Sequence, residues 1–287
     1  MTNKLEKIIK KIELITKSQV IVSNTDDYNY IYYSENNLHK FIHISHVTTK
    51  PNSAINYKID SITKDYPDKI ISGQVKVRFI YLNDRKVITT SINDDDNSHI
   101  VDAKIRRSHP DLPSPHVIDI SNGVVTEELV NDPTPNNSIL AHPKRNLLAL
   151  NAMKNSYLKY FENDQSPKTI IHGQIYKSDH ILICNQKLYL VDWSEGGNKS
   201  QGSRGDLFFD IASSIKWVIF KRKFNYYYFF RYILSYVKLA KEISTELKLL
   251  SWKNHFNNTL NNICDKQGKY SQKAFLYKIL KYIIKKI

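Results

Sequence analysis

In the stretch "IIHGQIYKSDHILICNQKLYLVDWSEGG", residues 170–197, an apolar, strand-like run is bracketed by polar groups: His172, Gln174 and Asp179 before it, and Asp192 next to Trp193 after it. Carboxylates at two points of one buried segment can hold a hard cation or orient a hydroxyl, while an imidazole and an amide supply hydrogen bonds. Each residue also has an ordinary use. His172 suits a core position at a strand end, and Asp179 and Asp192 suit turns. Other metal chemistry finds no support: Cys184 and Cys264 lie far apart in apolar-rich segments, which fits reduced thiols in a cytoplasmic protein. His43, His46, His99, His109 and His116 have no acid or thiol partner at a ligand spacing and read as structural.

The elements that position these groups follow from periodicity. Met1 to Lys17 repeats Leu5, Ile8, Ile9, Ile12 and Ile15 at helical spacing. From Gln19 to Val47 the β-branched and aromatic runs "VIV", "YNYIYY" and "KFIHISHV" predict strands. A helix-like stretch, Asn52 to Tyr66, leads to two alternating runs around Asn83-Asp84, the pattern of a hairpin. A helix capped by Asn97 or Ser98 ends near His109-Pro110. "PHVIDIS" and "GVVTEELV" then form a strand pair about Asn122-Gly123. After "NDPTP" the pattern becomes helical, with a helix from about Ser138 to Phe161, the 170–197 segment read as one hairpin, and helices for nearly everything past Asp206. The division is a β-rich N-terminal lobe with a leading helix, 1–130, and a helical C-terminal lobe, 131–287, in a two-lobed α+β architecture.

The segment around His172 resembles the protein-kinase-like superfamily, in its aminoglycoside phosphotransferase and choline kinase branch. That branch carries His-Gly-Asp, an Asn five residues after the Asp, and a metal-binding Asp closing the next hairpin, often as Ile-Asp-Trp. Here His172-Gly173-Gln174 is followed by Asp179 five residues on and by Val191-Asp192-Trp193 thirteen after that. "GDLFFDIAS" is similar to the stretch whose Asp, here Asp210, braces the catalytic loop, and residues 104–130 look like the run leading to the hinge. The resemblance spans residues 75 to 215. It implies a two-lobed kinase-like fold and an ATP- and Mg²⁺-dependent transfer of phosphate to a hydroxyl. Such chemistry needs a carboxylate to orient the acceptor and oxygen ligands for the metal. By this reading Asp192 is the main metal ligand, Asp179 a second ligand or a displaced base, His172 shapes the loop, and Gln174 orients the acceptor.

Two departures bear on activity. Gln174 stands where the family has its catalytic Asp, and an amide has no useful basicity. The nucleotide-clamping lysine has two candidates, Lys40 in "LHKFIHIS" and Lys86 at the start of "KVITTSI", whose centre is Thr89-Thr90, and no Gly-rich phosphate loop is present. The alternative function is therefore a catalytically inactive pseudokinase that serves as a binding or scaffold protein.

The net charge of +14 is concentrated at one end. Residues 213–287 carry 16 Lys/Arg against 3 Asp/Glu, while the remaining 26 and 25 nearly cancel. Two readings stand: solvated helix faces, or a surface that draws an anionic small-molecule acceptor. Nucleic acid is the least supported partner, because no recognition motif accompanies the charge. The aromatic run 223–232 reads as helix, either buried by core or inter-helix packing or stacking on substrate. The final helix sets Phe275, Ile279, Tyr282 and Ile283 on one face and Lys on the other, for packing on the fold or for an anionic membrane surface. No run approaches the roughly 20 apolar residues of a spanning helix, and Met1 to Lys17 is too charged for a signal peptide.

Overall fold

The computed structural model describes residues 30–35, 38–46, 75–81, 86–91, 98–130, 140–163, 166–178, 180–193, 204–220, 225–264 and 273–287. The predicted helices in 1–17 and 52–66 and the strand "VIV" lie outside these. The chain is a mixed helix-and-strand protein that divides into two compact units: residues 1–108 with 115–133, and residues 109–114 with 134–287.

The first unit is built on a six-stranded antiparallel sheet. Its strands are β1 (Tyr30–Glu35), β2 (Leu38–His46), β3 (Val75–Tyr81), β4 (Lys86–Ser91), β5 (Val117–Ser121) and β6 (Val124–Glu128), in the order β1-β2-β3-β4-β6-β5. The predicted hairpin is β3–β4, with Tyr81 opposite Lys86. Asn83 and Asp84 themselves lie outside the described residues. Between β5 and β6, Asn122 and Gly123 have φ of 50° and 76°. A two-residue turn whose twist matches the strands needs positive φ at both positions, and Asn-Gly is the pair that adopts it at least cost. Helix α1 (Ser98–Ser108) packs Ala103 on Val117 and Val125. It also buries Arg106, which lies 2.7 Å from Asp102 and 2.6 Å from Glu127 and donates to the Pro115 carbonyl at 3.2 Å. A guanidinium held by two carboxylates and a carbonyl compensates its own desolvation, which an unpaired charge could not.

The second unit is mainly helical. Its first helix, α2 (Pro143–Lys159), starts five residues later than its apolar pattern predicts. Pro143 disfavours helix in His142 but suits the first helical position, and the His142 side chain caps the turn by accepting the Lys144 N–H at 3.2 Å. Its inward face, Asn146, Ala149, Leu150, Met153 and Tyr157, recurs every three or four residues.

Segment 170–197 is not one hairpin. Strand β8 (Pro167–Ile170) pairs instead with β7 (Glu162–Asn163) and β11 (Arg204–Asp206), and the true hairpin is β9 (Ile181–Cys184) with β10 (Lys187–Leu190). Gly173, at φ 84°, and the turns after it break the strand, so the apolar residues before and after His172 serve different sheets.

The remaining helices are α3 (Phe209–Ser214), which continues as a π-helical turn (Ile215–Phe220), then α4 (Asn225–Glu246), α5 (Trp252–Cys264) and α6 (Lys273–Lys286). Tyr157, Trp193, Phe208, Phe229, Tyr236 and Phe256 are fully buried in this unit, and burial of a large apolar side chain contributes about 1.5–3 kcal/mol. The aromatic run is less buried than predicted: Phe229 is in the core, whereas Tyr226, Tyr227 and Phe230 face outward. The face of α6 also differs, since Leu276, Leu280 and Ile284 are buried while Phe275 and Tyr282 are exposed. Residues at i, i+4 and i+8 form a stripe, and here the aliphatic stripe fills the core in place of the aromatic one. Among the described residues no helix is long and apolar enough to cross a membrane.

Candidate functional site

The loop after β8 is held from beneath by one carboxylate. Asp210, in the first turn of α3, is buried and accepts the backbone N–H of His172 at 2.9 Å and of Gly173 at 2.7 Å. The Tyr157 hydroxyl of α2 donates to the same carboxylate at 2.9 Å. Burial and the Asp210 charge hold the Tyr157 phenol well above its usual range, so it remains a donor. Two successive N–H groups can meet one carboxylate only if the chain turns sharply between them. Glycine accommodates that turn, because a side chain at φ 84° is strained.

His172 carries the tether from the loop to the hairpin. Its Nε2 lies 2.8 Å from the Val191 carbonyl, which can only accept, so Nε2 bears the proton. Nδ1 is then the acceptor and takes the Gln174 N–H at 3.3 Å. The neutral ring thus bonds the loop ahead of it and the residue just before Asp192. It is fully buried and meets the Trp193 ring edge-on at 4.8 Å. This is a core histidine whose hydrogen bonds fix backbone geometry.

Asp192 sits at φ 63°. Its neighbours force that conformation: the Val191 N–H donates to the His180 carbonyl at 3.1 Å, and the buried Trp193 indole donates to the Leu190 carbonyl at 2.9 Å. The residue between two pinned neighbours absorbs the bend, and Asp tolerates the left-handed region better than most residues. Its side chain keeps 25% of its exposure. The nearby His180 does not neutralise it. Burial drives the His180 imidazole down to about pKa 3, against the opposing pull of the Asp192 charge, so it is uncharged near neutrality. Its Nε2 is 3.6 Å from Oδ2, too far for a hydrogen bond. The Asp192 carboxylate is thus partly accessible and supplies hard oxygen atoms beside the hairpin.

Asn146 completes the support, and sequence reasoning missed it. Buried on α2, it donates to the Ile175 carbonyl at 2.9 Å and to Ser214 at 3.1 Å, and accepts the Tyr236 hydroxyl at 2.7 Å. One amide joins the loop to three helical segments. A polar residue on the apolar face of a predicted helix was its only signal. Tyr157 and His180 had none beyond their type. Beside the loop, Tyr176 stacks on Trp217 at 5.3 Å and an interplanar angle of 17°.

The other predicted site residues are placed unevenly. Gln174 is half-buried at the end of the braced turn, on the same loop as His172. Asp179 lies outside the described residues. Lys40 is in β2 opposite Tyr33, and Lys86 opens β4 between Tyr81 and Glu128, so both belong to the first unit's sheet. The centre of β4 holds Thr89, which is buried.

Among the described residues no three His, Cys, Asp or Glu side chains converge as a metal cage. Mg²⁺ bound with a nucleotide does not require one, because it takes one or two carboxylates and completes its shell with phosphate oxygens and water. Asp192 fits that requirement as a single ligand.

No family description matches the chain, and no curated protein matches it. Among solved structures it is similar to choline kinase LicA from Streptococcus pneumoniae, at 10% identity over 99% of each chain. The TM-score is 0.34, below what a shared fold gives, so that likeness carries no argument about this chain.

Proposed function

We propose that the chain is a kinase-like phosphotransferase that moves a phosphoryl group from Mg-ATP to a hydroxyl of a small, anionic molecule. The observation that supports this most is the tethering of two functional segments to one another. Asp210 grips the His172–Gly173 backbone, and His172 bonds the Val191 carbonyl beside the partly buried Asp192 carboxylate. Transfer of phosphate rests on positioning and charge rather than on covalent work by the protein, and a loop locked to a carboxylate supplies positioning.

In this reading Asp192 would hold the metal, with Asp179 as second ligand or displaced base. Bound Mg²⁺ would neutralise charge on the transferring phosphate. Gln174 would orient the acceptor hydroxyl without taking its proton, and Lys40 or Lys86 would contact nucleotide phosphates. The net +13 of residues 213–287 would raise the local concentration of an anionic acceptor and disfavour a cationic one.

A second reading, a catalytically inactive pseudokinase that serves as a binding or scaffold protein, is favoured by two residues. Gln174 has no basicity, and the centre of β4 holds Thr89. The discriminating experiment measures ATP turnover by the parent and by a Gln174→Asp, Asp179→Asn double variant. Turnover in the parent at or above that of the double variant supports a working enzyme with a relocated carboxylate. Turnover in the double variant alone identifies a decayed enzyme, and none in either supports the scaffold.

A further inference from the structure

The sequence poses two uses for the last helix, packing on the fold or meeting a membrane, and the two faces of α6 separate them. One face is committed to the fold. Leu276, Leu280 and Ile284 are fully buried, Tyr277 donates from its hydroxyl to Asn261 of α5, and Lys253 of α5 donates to the Lys285 carbonyl at 3.1 Å. The helix is thus docked along its length, and its rotation is fixed.

The opposite face carries Phe275 and Tyr282, each 62% exposed. They are seven residues apart, so they fall within about 20° of one line along the helix, separated by roughly 10 Å. Lys278, Lys285 and Lys286 lie within about a quarter turn of that line, and all three are exposed. From Lys273 to Ile287 there are five Lys and no Asp or Glu. Leaving two large aromatic side chains in water gains nothing for a helix already anchored by three buried aliphatics. Aromatics flanked by lysines, on a helix that carries no Asp or Glu of its own, match a surface that is negative at its headgroups and apolar just beneath them.

We propose that the outer face of α6 is a peripheral binding surface for anionic membrane lipids, with Phe275 and Tyr282 entering the headgroup region and Lys278, Lys285 and Lys286 holding the charge. A nucleic-acid polyanion fits less well, because an isolated phosphate backbone offers the two aromatics nothing apolar to enter. The surface is distinct from the loop of residues 172–192, and the inference does not depend on the phosphotransferase reading.

The test is co-sedimentation of the full chain with phosphatidylcholine vesicles and with vesicles in which about a third of the lipid is phosphatidylserine. Binding is expected to the second and not the first, and to fall as salt rises. Each lysine near an anionic surface is worth about fivefold in binding, so Lys278→Gln with Lys285→Gln should weaken it about 25-fold. Phe275→Ala with Tyr282→Ala alters only exposed side chains, should leave the melting temperature unchanged, and should weaken binding tenfold or more. A Tyr282→Trp variant should show a blue-shifted emission on binding. Equal binding to both vesicles, or to neither at low salt, overturns the proposal. So does binding that survives loss of both aromatics, or emission that does not shift, since either means adsorption by charge alone. Displacement of the protein from vesicles by duplex DNA at matched charge, with the same insensitivity to the aromatics, would assign the face to polyanions instead.

Discussion

Asp210→Asn tests the support beneath the loop with the least change in shape. One carboxylate oxygen accepts from the His172 N–H and the Tyr157 hydroxyl, and the other accepts from the Gly173 N–H. An amide keeps only one oxygen. In its better orientation that oxygen serves His172 and Tyr157 while the NH₂ faces the Gly173 donor, leaving a buried N–H unsatisfied at about 1–3 kcal/mol. The two surviving bonds fall from charge-assisted to neutral strength, about 1 kcal/mol each. Relief from burying a charge offsets part of the total, so the net loss should be about 3 kcal/mol. For a chain of this size that lowers the melting temperature by about 6–12 °C. The assay is denaturant unfolding of the parent, Asp210→Asn, Tyr157→Phe and the double variant. Tyr157→Phe alone should cost about 1–2 kcal/mol, and the double should cost less than the sum, because the two changes share a bond. If Asp210→Asn unfolds within about 0.5 kcal/mol of the parent, and the two changes add, the carboxylate does not grip the loop and the argument from it is wrong.

Other perturbations read neighbouring parts of the same assembly. The folded-state pKa of His180, about 3, lies below the unfolded value of 6.5, so the unfolded chain binds a proton that the folded one refuses. Its contribution is fully present above pH 6.5 and is lost as pH falls toward 3, at about 1.4 kcal/mol per unit, or about 2 kcal/mol between pH 6.5 and 5. Unfolding free energies across that range should show this slope in the parent and a flatter one in His180→Asn. Asn146→Ala strips partners from the Ile175 carbonyl, Ser214 and Tyr236 and should cost about 3 kcal/mol by denaturant unfolding, whereas a value under 1 kcal/mol would make the amide a passenger. Gly173→Ala, at φ 84°, should cost about 1–2 kcal/mol by the same measurement.

Local chemistry made much of the fold legible. β-Branched and aromatic runs located β1 and β2, alternation located β3 and β4, Asn122-Gly123 marked the turn between β5 and β6, and His109-Pro110 ended α1. What could not be read was pairing at a distance. The apolar run from Ile170 to Leu190 is continuous in the sequence, yet β8 adds to β7 and β11 while β9 and β10 pair with each other, because one left-handed glycine redirects the chain. Periodicity picked the stripe of α6 that holds Phe275 and Tyr282, whereas packing against α4 and α5 buries Leu276, Leu280 and Ile284. At the site, His172, Gln174, Asp179 and Asp192 were singled out by resemblance to a kinase-like motif, helped by the polar groups that interrupt an apolar run. Tyr157, Asn146 and His180 were invisible because a buried polar residue announces nothing until its partners, tens of residues away, are in place.

The central claim is that the tethered loop and Asp192 form a site for Mg-ATP, and ligand-induced stabilisation measures it directly. Melting of the parent with ATP, with and without Mg²⁺, should show a rise that requires the metal, about 2.7 kcal/mol of added stability at 100 times the dissociation constant. Asp192→Asn, in which an amide tolerates the same φ of 63°, should melt near the parent without ligand and lose the Mg²⁺-dependent part of the rise. No rise in the parent at millimolar Mg-ATP, or an undiminished rise in Asp192→Asn, would contradict the account.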